Sequence, residues 1–157
     1  MTTTTTTSMP KNILMGCKLK YCNFFLISAP RSIACTAPNV NFTLYNNQFI
    51  YSPSQLYAAG MKNNLFGVYV AYANANVTST AVWTASQSST PSDARFVAQS
   101  DRNLVVYTST FSPGVLWTAH VAINGMNSAF CLEMLDTGNL IWKDSSNNII
   151  WQTNSFG

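Results

Sequence analysis

Three tryptophans, Trp83, Trp117 and Trp151, stand 34 residues apart each time in a chain of 157 residues. Two apolar residues precede each one: Ala81-Val82, Val115-Leu116 and Ile149-Ile150. A small or polar trio follows: Thr84-Ala85-Ser86, Thr118-Ala119-His120 and Gln152-Thr153-Asn154. Upstream, the units share Asn64-Leu65, Asn103-Leu104 and Asn139-Leu140, with turn-rich stretches in between. Self-similarity at a period of roughly 20–50 residues marks a repeat architecture, whose units bury their apolar faces against one another. Three Trp-bearing units therefore predict one shared core with the indoles in it, because large aromatics dominate core burial.

The units read as strands. Val105, Val106, Tyr107, Val115, Ile141, Trp142, Ile149 and Ile150 are β-branched or aromatic and fall in short runs bounded by Asn, Asp, Ser, Pro and Gly. Long helical periodicity is missing. The expectation is an all-β domain over residues 36–157, closed or built of three sheets, with repeats of about 36–86, 87–120 and 121–157.

Composition narrows the chemistry. Charged residues make up 8%, with one His and five acids: Asp93, Asp101, Glu133, Asp136 and Asp144. One His and four scattered Cys do not make a four-ligand zinc site at normal spacing, so no metal and no cofactor are expected. No Gly-x-Ser-x-Gly and no phosphate-binding Gly-x-x-x-x-Gly-Lys occurs. His120 follows Trp117 in a loop-like stretch with no nucleophile near it, and Asp136 and Asp144 are glycosidase candidates only by being acidic. An enzyme is not expected. No apolar run approaches the ~18 residues of a membrane-spanning helix.

The net charge of +3 belongs to the N-terminal segment. Lys11, Lys18, Lys20 and Arg31 precede residue 38 with no acid among them; the remainder carries four bases against five acids. Four charges are too few to argue for nucleic acid. Residues 1–35 read either as a low-complexity basic tail or as a signal segment: the apolar stretch Tyr21–Ala29 and the exit Ser32-Ile33-Ala34 are the parts of a secretory signal, interrupted by Asn23 and Pro30-Arg31. A secreted or cell-surface setting is slightly favoured over a cytoplasmic one. If cleavage follows Ala34, Cys35 and Cys131 remain and can pair; if the tail stays, nothing marks a disulfide framework.

The middle unit contains Gln99-Ser100-Asp101-Arg102-Asn103-Leu104-Val105-Val106-Tyr107. Alternate residues of a strand face one side, so Gln99, Asp101, Asn103, Val105 and Tyr107 share a face. On a straight strand Gln99 and Tyr107 would lie ~26 Å apart, farther than one small ligand reaches. Asp101-Arg102-Asn103 supplies turn-forming residues, and a fold-back there brings Tyr107 to Gln99. The clustered set suits hydroxyl ligands: a carboxylate accepts, amides and a phenol do both, and Val105 offers an apolar patch.

These five positions match Gln-x-Asp-x-Asn-x-Val-x-Tyr, and the chain thereby resembles the bulb-type (B-type) mannose-binding lectin family. Five matches arise by chance on the order of once in 10⁴ sequences of this size. The resemblance covers about residues 36–157. It implies a β-prism II fold, three antiparallel four-stranded sheets with pseudo-three-fold internal repeat. It also implies metal-independent recognition of mannose or mannose-containing glycans, with Asp101 and Asn103 on the axial 2-hydroxyl and Gln99 and Tyr107 on its neighbours. Dimerisation by exchange of a C-terminal strand, here Ile149–Trp151, is frequent in the family. Some relatives have lost sugar binding and act as protein-interaction scaffolds, which is the alternative function.

The other two units depart from the motif. Aligned on Asn64 the first offers Gly60, Lys62, Asn64, Phe66 and Val68; aligned on Asn139 the third offers Leu135, Thr137, Asn139, Ile141 and Lys143. Both are expected to have lost the site, with the carboxylate, Gln and Tyr gone. The family's usual disulfide has no counterpart, since Arg102 stands at its cysteine position in Asp-x-Asn, and Cys131 is expected to be a small buried hydrophobe.

Overall fold

The structure is a computed structural model and describes residues 30–73, 76–109 and 114–156. The threonine run, Cys17, Cys22 and the choice between tail and signal segment lie outside the described residues.

Twelve strands run through the described residues, with no helix among them. They are β1 (Ile33–Cys35), β2 (Phe42–Leu44), β3 (Phe49–Tyr51), β4 (Tyr57–Lys62), β5 (Leu65–Tyr72), β6 (Asn76–Thr84), β7 (Arg95–Ala98), β8 (Leu104–Thr108), β9 (Gly114–Thr118), β10 (Phe130–Met134), β11 (Leu140–Asp144) and β12 (Ile149–Gln152). They make three antiparallel four-stranded sheets, ordered β3-β4-β5-β6, β2-β7-β8-β9 and β1-β10-β11-β12. This is the expected all-β, β-prism II architecture.

Each sheet is a three-stranded meander from one Trp unit plus one strand dealt from residues 33–51. The dealing runs backwards: β1 joins the last sheet, β2 the middle one and β3 the first. An isolated hairpin or short meander is marginal in water, so the N-terminal stretch completes all three sheets and ties them together. Strand β1 begins before residue 36, and β2 serves the second sheet although it lies in the first sequence repeat.

The core follows from strand alternation. Inward residues of the meanders, including Met61, Phe66, Val68, Phe96, Ala98, Leu104, Val106, Leu132, Met134, Leu140 and Trp142, are fully buried in one cluster. Phe66 stacks on Phe96 with ring centroids 3.9 Å apart. The three repeat tryptophans pack partly buried against this core and meet one another. Their centroids are 5.9 Å (Trp83–Trp117), 5.6 Å (Trp83–Trp151) and 5.8 Å (Trp117–Trp151) apart, edge to face. Each such pair contributes about 0.5–1.5 kcal/mol beyond area burial. Each Trp sits opposite the same strand position: Val68 with Trp83, Val106 with Trp117, Trp142 with Trp151. The register shifts immediately after that position in every sheet. The internal symmetry thus reaches down to the bulges, which bend a strand and increase its twist.

One cysteine reading is corrected. Cys35 and Cys131 lie opposite each other on β1 and β10 and form a disulfide. Strand β10 alternates buried and half-buried positions, and Cys131 is on the half-buried outer side. It is a cross-strand staple, not a buried hydrophobe. The pairing anticipated for the case of cleavage after Ala34 is the one present.

Candidate functional site

The middle hairpin positions the five motif residues. Ala98 pairs with Leu104, and the five residues between them form the turn. Gln99 N donates to Asn103 O (2.9 Å) and Arg102 N donates to Gln99 O (3.1 Å). Arg102 adopts φ of 81°, the left-handed conformation that closes the turn. Asn103 N donates to Asp101 Oδ1 (2.9 Å), an Asx-type bond that pins the carboxylate at the tip. Leu104 and Val106 point inward, so Asn103, Val105 and Tyr107 face outward. Across the hairpin Gln99 Nε2 donates to Tyr107 Oη at 3.3 Å. The hairpin therefore brings Tyr107 to Gln99, as the fold-back expectation required, with Asp101 and Asn103 bonded to each other at its tip and Val105 on the same strand face as Tyr107.

The detail differs from a simple five-point cradle. Asp101 has one oxygen committed to its own turn. Asn103 Oδ1 accepts from Thr118 Oγ1 (3.2 Å) and from Val121 N (3.3 Å). The atoms left unengaged among the described hydrogen bonds are Asp101 Oδ2, Asn103 Nδ2 and Gln99 Oε1. One acceptor and one donor at neighbouring side chains match the two roles of a hydroxyl. Val105 is only 2% exposed, so it forms a floor instead of an open apolar patch.

No family model matches the chain. It is 26% identical over 135 residues to the receptor-like serine/threonine-protein kinase SD1-7 of Arabidopsis thaliana, which covers 82% of this chain but only 15% of the kinase. Among solved structures it resembles the monomeric monocot mannose-binding lectins of Gastrodia elata, with a TM-score of 0.61 and 20% identity over 80% of this chain and 99% of the lectin. It also resembles the Polygonatum cyrtonema lectin complexed with monomannoside, at 0.55 and 18% over 79% and 96%. The chain has the fold of the bulb-type mannose-binding lectins.

Within this bulb-type fold the two other outer faces are filled. In the third sheet the hairpin closes identically: Leu135 N donates to Asn139 O and Gly138 N to Leu135 O. Leu135, Thr137, Asn139, Ile141 and Lys143 therefore occupy the five places, in the expected register. Thr137 replaces the carboxylate, its Oγ1 accepting from Asn139 N at 3.4 Å. Asn139 is 5% exposed. Its Nδ2 donates to Gln152 Oε1 (2.9 Å) and its Oδ1 accepts from Thr153 Oγ1 (3.0 Å). The Nδ2 group that Asn103 keeps unengaged is here buried and bonded within the sheet. Lys143, at the tyrosine place, is ion-paired to Glu133.

The first sheet requires a correction of register. Ala85 N donates to Phe66 O just as Ala119 N donates to Leu104 O and Thr153 N to Leu140 O. Phe66 thus corresponds to Leu104, and Leu65, not Asn64, corresponds to Asn103. The hairpin is one residue shorter here: Met61 pairs with Phe66 across four residues. Asn63 and Asn64, with φ of 50° and 62°, form a two-residue turn that replaces the Asp101 tip. The alignment through Gly60, Lys62, Asn64, Phe66 and Val68 was out of step by one residue, and such a slip turns every side chain over. Phe66 and Val68 are core residues. The tyrosine expected to be missing is present as Tyr69, in the place of Tyr107. Its ring lies over Gly67, where an added Cβ would sit 3.1 Å from it. Its hydroxyl donates to Leu65 O (2.9 Å), and burial pushes its pKa up to about 12. Phe49 packs edge-on against it at 6.4 Å. The aromatic side chains fill their own groove.

Three contributors to the middle site escaped the motif. Thr118 and Val121 hold Asn103; Arg95, opposite Tyr107, places its guanidinium 5.9 Å from the ring centroid. The segment after β9 also docks on the tip: Ile123 N donates to Asp101 O, Ser128 N to Ser100 O, and Arg102 Nε to Val121 O (2.8 Å). For Thr118 the sequence signal is the polar residue that follows each Trp: Thr84, Thr118 and Gln152.

Proposed function

We propose that this chain is a carbohydrate-binding lectin that recognises mannose or mannose-containing glycans through the middle sheet alone. The observation that carries it is the contrast among equivalent faces. The middle one keeps Asp101 Oδ2, Asn103 Nδ2 and Gln99 Oε1 unengaged around Tyr107, while its counterparts are occupied by Tyr69 or by the Lys143–Glu133 pair. The resembled lectins of Gastrodia and Polygonatum are described as mannose-binding and as complexed with monomannoside, which supports the sugar class. An acceptor and a donor converging on one hydroxyl fit the axial 2-hydroxyl of mannose. Every bond needed comes from protein side chains, so binding is metal-independent on this reading. Among the described residues no group of three or more His, Cys, Asp or Glu side chains stands ready to hold an ion.

The test is retention on mannose resin with and without EDTA, alongside the Asp101→Ala variant. Wild-type retention in both buffers and loss in the variant are expected. A folded protein that flows through, or a variant that elutes unchanged, overturns the reading. A blank glycan array with a protein captured in pull-down would favour the scaffold alternative. A single polar site gives small net gain, because sugar bonds replace water bonds. Exchange of the C-terminal strand, Ile149–Trp151, between two copies belongs to the same proposal as a route to avidity. In this structure β12 pairs with its own β11, and light scattering distinguishes the two arrangements. The Cys35–Cys131 disulfide supports a secreted or cell-surface setting, where such bonds persist.

A further inference from the structure

Strands β2 and β3 are edge strands of neighbouring sheets. Between them lies a cleft of about 420 Å³. Small-molecule sites are typically about 300–1,000 Å³. The side chains that matter are Arg31, Thr43, Asn47, Gln48, Phe49 and Tyr51. Thr43 pairs with Val97, whose other neighbour is Val105, so the cleft's edge strand borders the middle hairpin and lies two strands, about 10 Å, from Val105 on β8.

Its chemistry is lopsided. No acid lines it. Arg31 is exposed, and its side chain makes no ion pair or hydrogen bond among the described residues, where only its backbone O is engaged, by Tyr51 N (2.9 Å). Gln48 has Oε1 committed to Tyr45 N (3.0 Å), which leaves its Nε2 donor for the cleft. Asn47 adds an amide and Thr43 a hydroxyl. Phe49 and Tyr51, with ring centroids 6.3 Å apart, supply aromatic surface. A guanidinium fork with amide donors favours a ligand rich in acceptors and negatively charged, because charge-assisted bidentate bonds are the strong ones. Aromatic rings beside them accept the apolar face of a sugar ring.

From these features we infer a second saccharide site, in the β2–β3 cleft, that takes an anionic sugar through Arg31. The shared ligand chemistry is a pyranose carrying a carboxylate or a sulfate ester. The site is separate from the mannose reading and does not rest on it.

The experiment is a titration of the ¹⁵N-labelled chain with glucuronate, glucose 6-sulfate and glucose, followed by amide NMR. At least one anionic sugar is expected to shift the Asn47, Gln48 and Tyr51 amides, with glucose about tenfold weaker or silent. A response to glucuronate alone assigns a carboxylate reader, and one to the sulfate alone a sulfate reader. Arg31→Gln should weaken the anionic ligand about tenfold or more and leave mannose binding unaltered, since it removes one charge-assisted contact and keeps the backbone bond to Tyr51. Added salt should weaken the anionic ligand as well. Anions that leave these amides unmoved, glucose binding as well as glucuronate and the sulfate, or unchanged affinity in Arg31→Gln would overturn the inference.

Discussion

Asp101 commits one carboxylate oxygen to its turn, Oδ1 accepting from Asn103 N, while Oδ2 accepts no hydrogen bond among the described residues and is the oxygen the proposed site would give to a sugar. Two substitutions separate the roles. Asp101→Asn keeps a carbonyl oxygen for the turn and removes the charge, so folding should be preserved while mannose affinity falls about tenfold. Asp101→Ala should lose the turn bond too, at about 1 kcal/mol of stability. Urea unfolding with mannose titration on both variants checks this; an Asn variant that binds like wild type would show that charge plays no part. Asp136 is engaged differently. Its Oδ1 accepts from Ser54 Oγ (2.6 Å) and Ser54 N (2.8 Å), joining the third hairpin to the β3–β4 loop. Those bonds from Ser54 hold its pKa below the ordinary 3.8. The folded state therefore releases the proton more readily than the unfolded one. The stabilisation is complete above the unfolded value and is lost as pH falls below about 3.8 through the folded pKa. Asp136→Asn should flatten acid unfolding in that window relative to wild type. At this scale the five motif residues were legible because they lie within nine positions of one hairpin. Thr118 and Arg95 were not, because they reach the site from neighbouring strands and no local spacing announces them.

At the scale of elements, the hairpin tip is what distinguishes the proposed binding face from the first sheet's face. The middle and third hairpins close over five residues and the first over four. That single residue removes the Asp101 position and moves the Asn-Leu pair of letters out of spatial register. The sequence repeat was legible at the tryptophans, where the 34-residue interval is strict. It misled at Asn64-Leu65, because two matching letters say nothing about where a turn closes. Asn64 also has a buried Oδ1 with no hydrogen-bond partner among the described residues. Asn64→Gly keeps the positive φ and removes that unsatisfied acceptor, whose burial costs about 1–3 kcal/mol. This outweighs the ~0.5–1 kcal/mol entropic cost of glycine, so the unfolding midpoint should stay level or rise. Asn64→Val should lower stability by about 1–2 kcal/mol, since a β-branched residue resists the left-handed conformation. A lower midpoint for the glycine variant would refute the argument.

The whole molecule is closed by its first described strands, and no sequence pattern announced how they would be dealt. Residues 33–51 supply one edge strand to each of three sheets, in pieces of three residues each. Pieces so short carry no readable periodicity, and their partners lie far along the chain. The longest of these links is β1 on β10, reinforced by Cys35–Cys131 at a sequence separation of 96. A cross-link over that distance removes much of the unfolded chain's freedom, and a native disulfide of this kind contributes about 2–4 kcal/mol. Cys131→Ser, or reduction of the wild type, should therefore lower the urea midpoint by an amount equivalent to about 2–4 kcal/mol. The proposed mannose site should be spared, because residues 99–107 sit in the sheet completed by β2, which the disulfide does not touch. The third sheet should fray first, with β1 exchanging its amides faster than β2 or β3. Hydrogen exchange on reduced and oxidised protein resolves this strand by strand. Uniform loss of protection across all three sheets would mean that the disulfide stabilises the fold globally and does not pin β1.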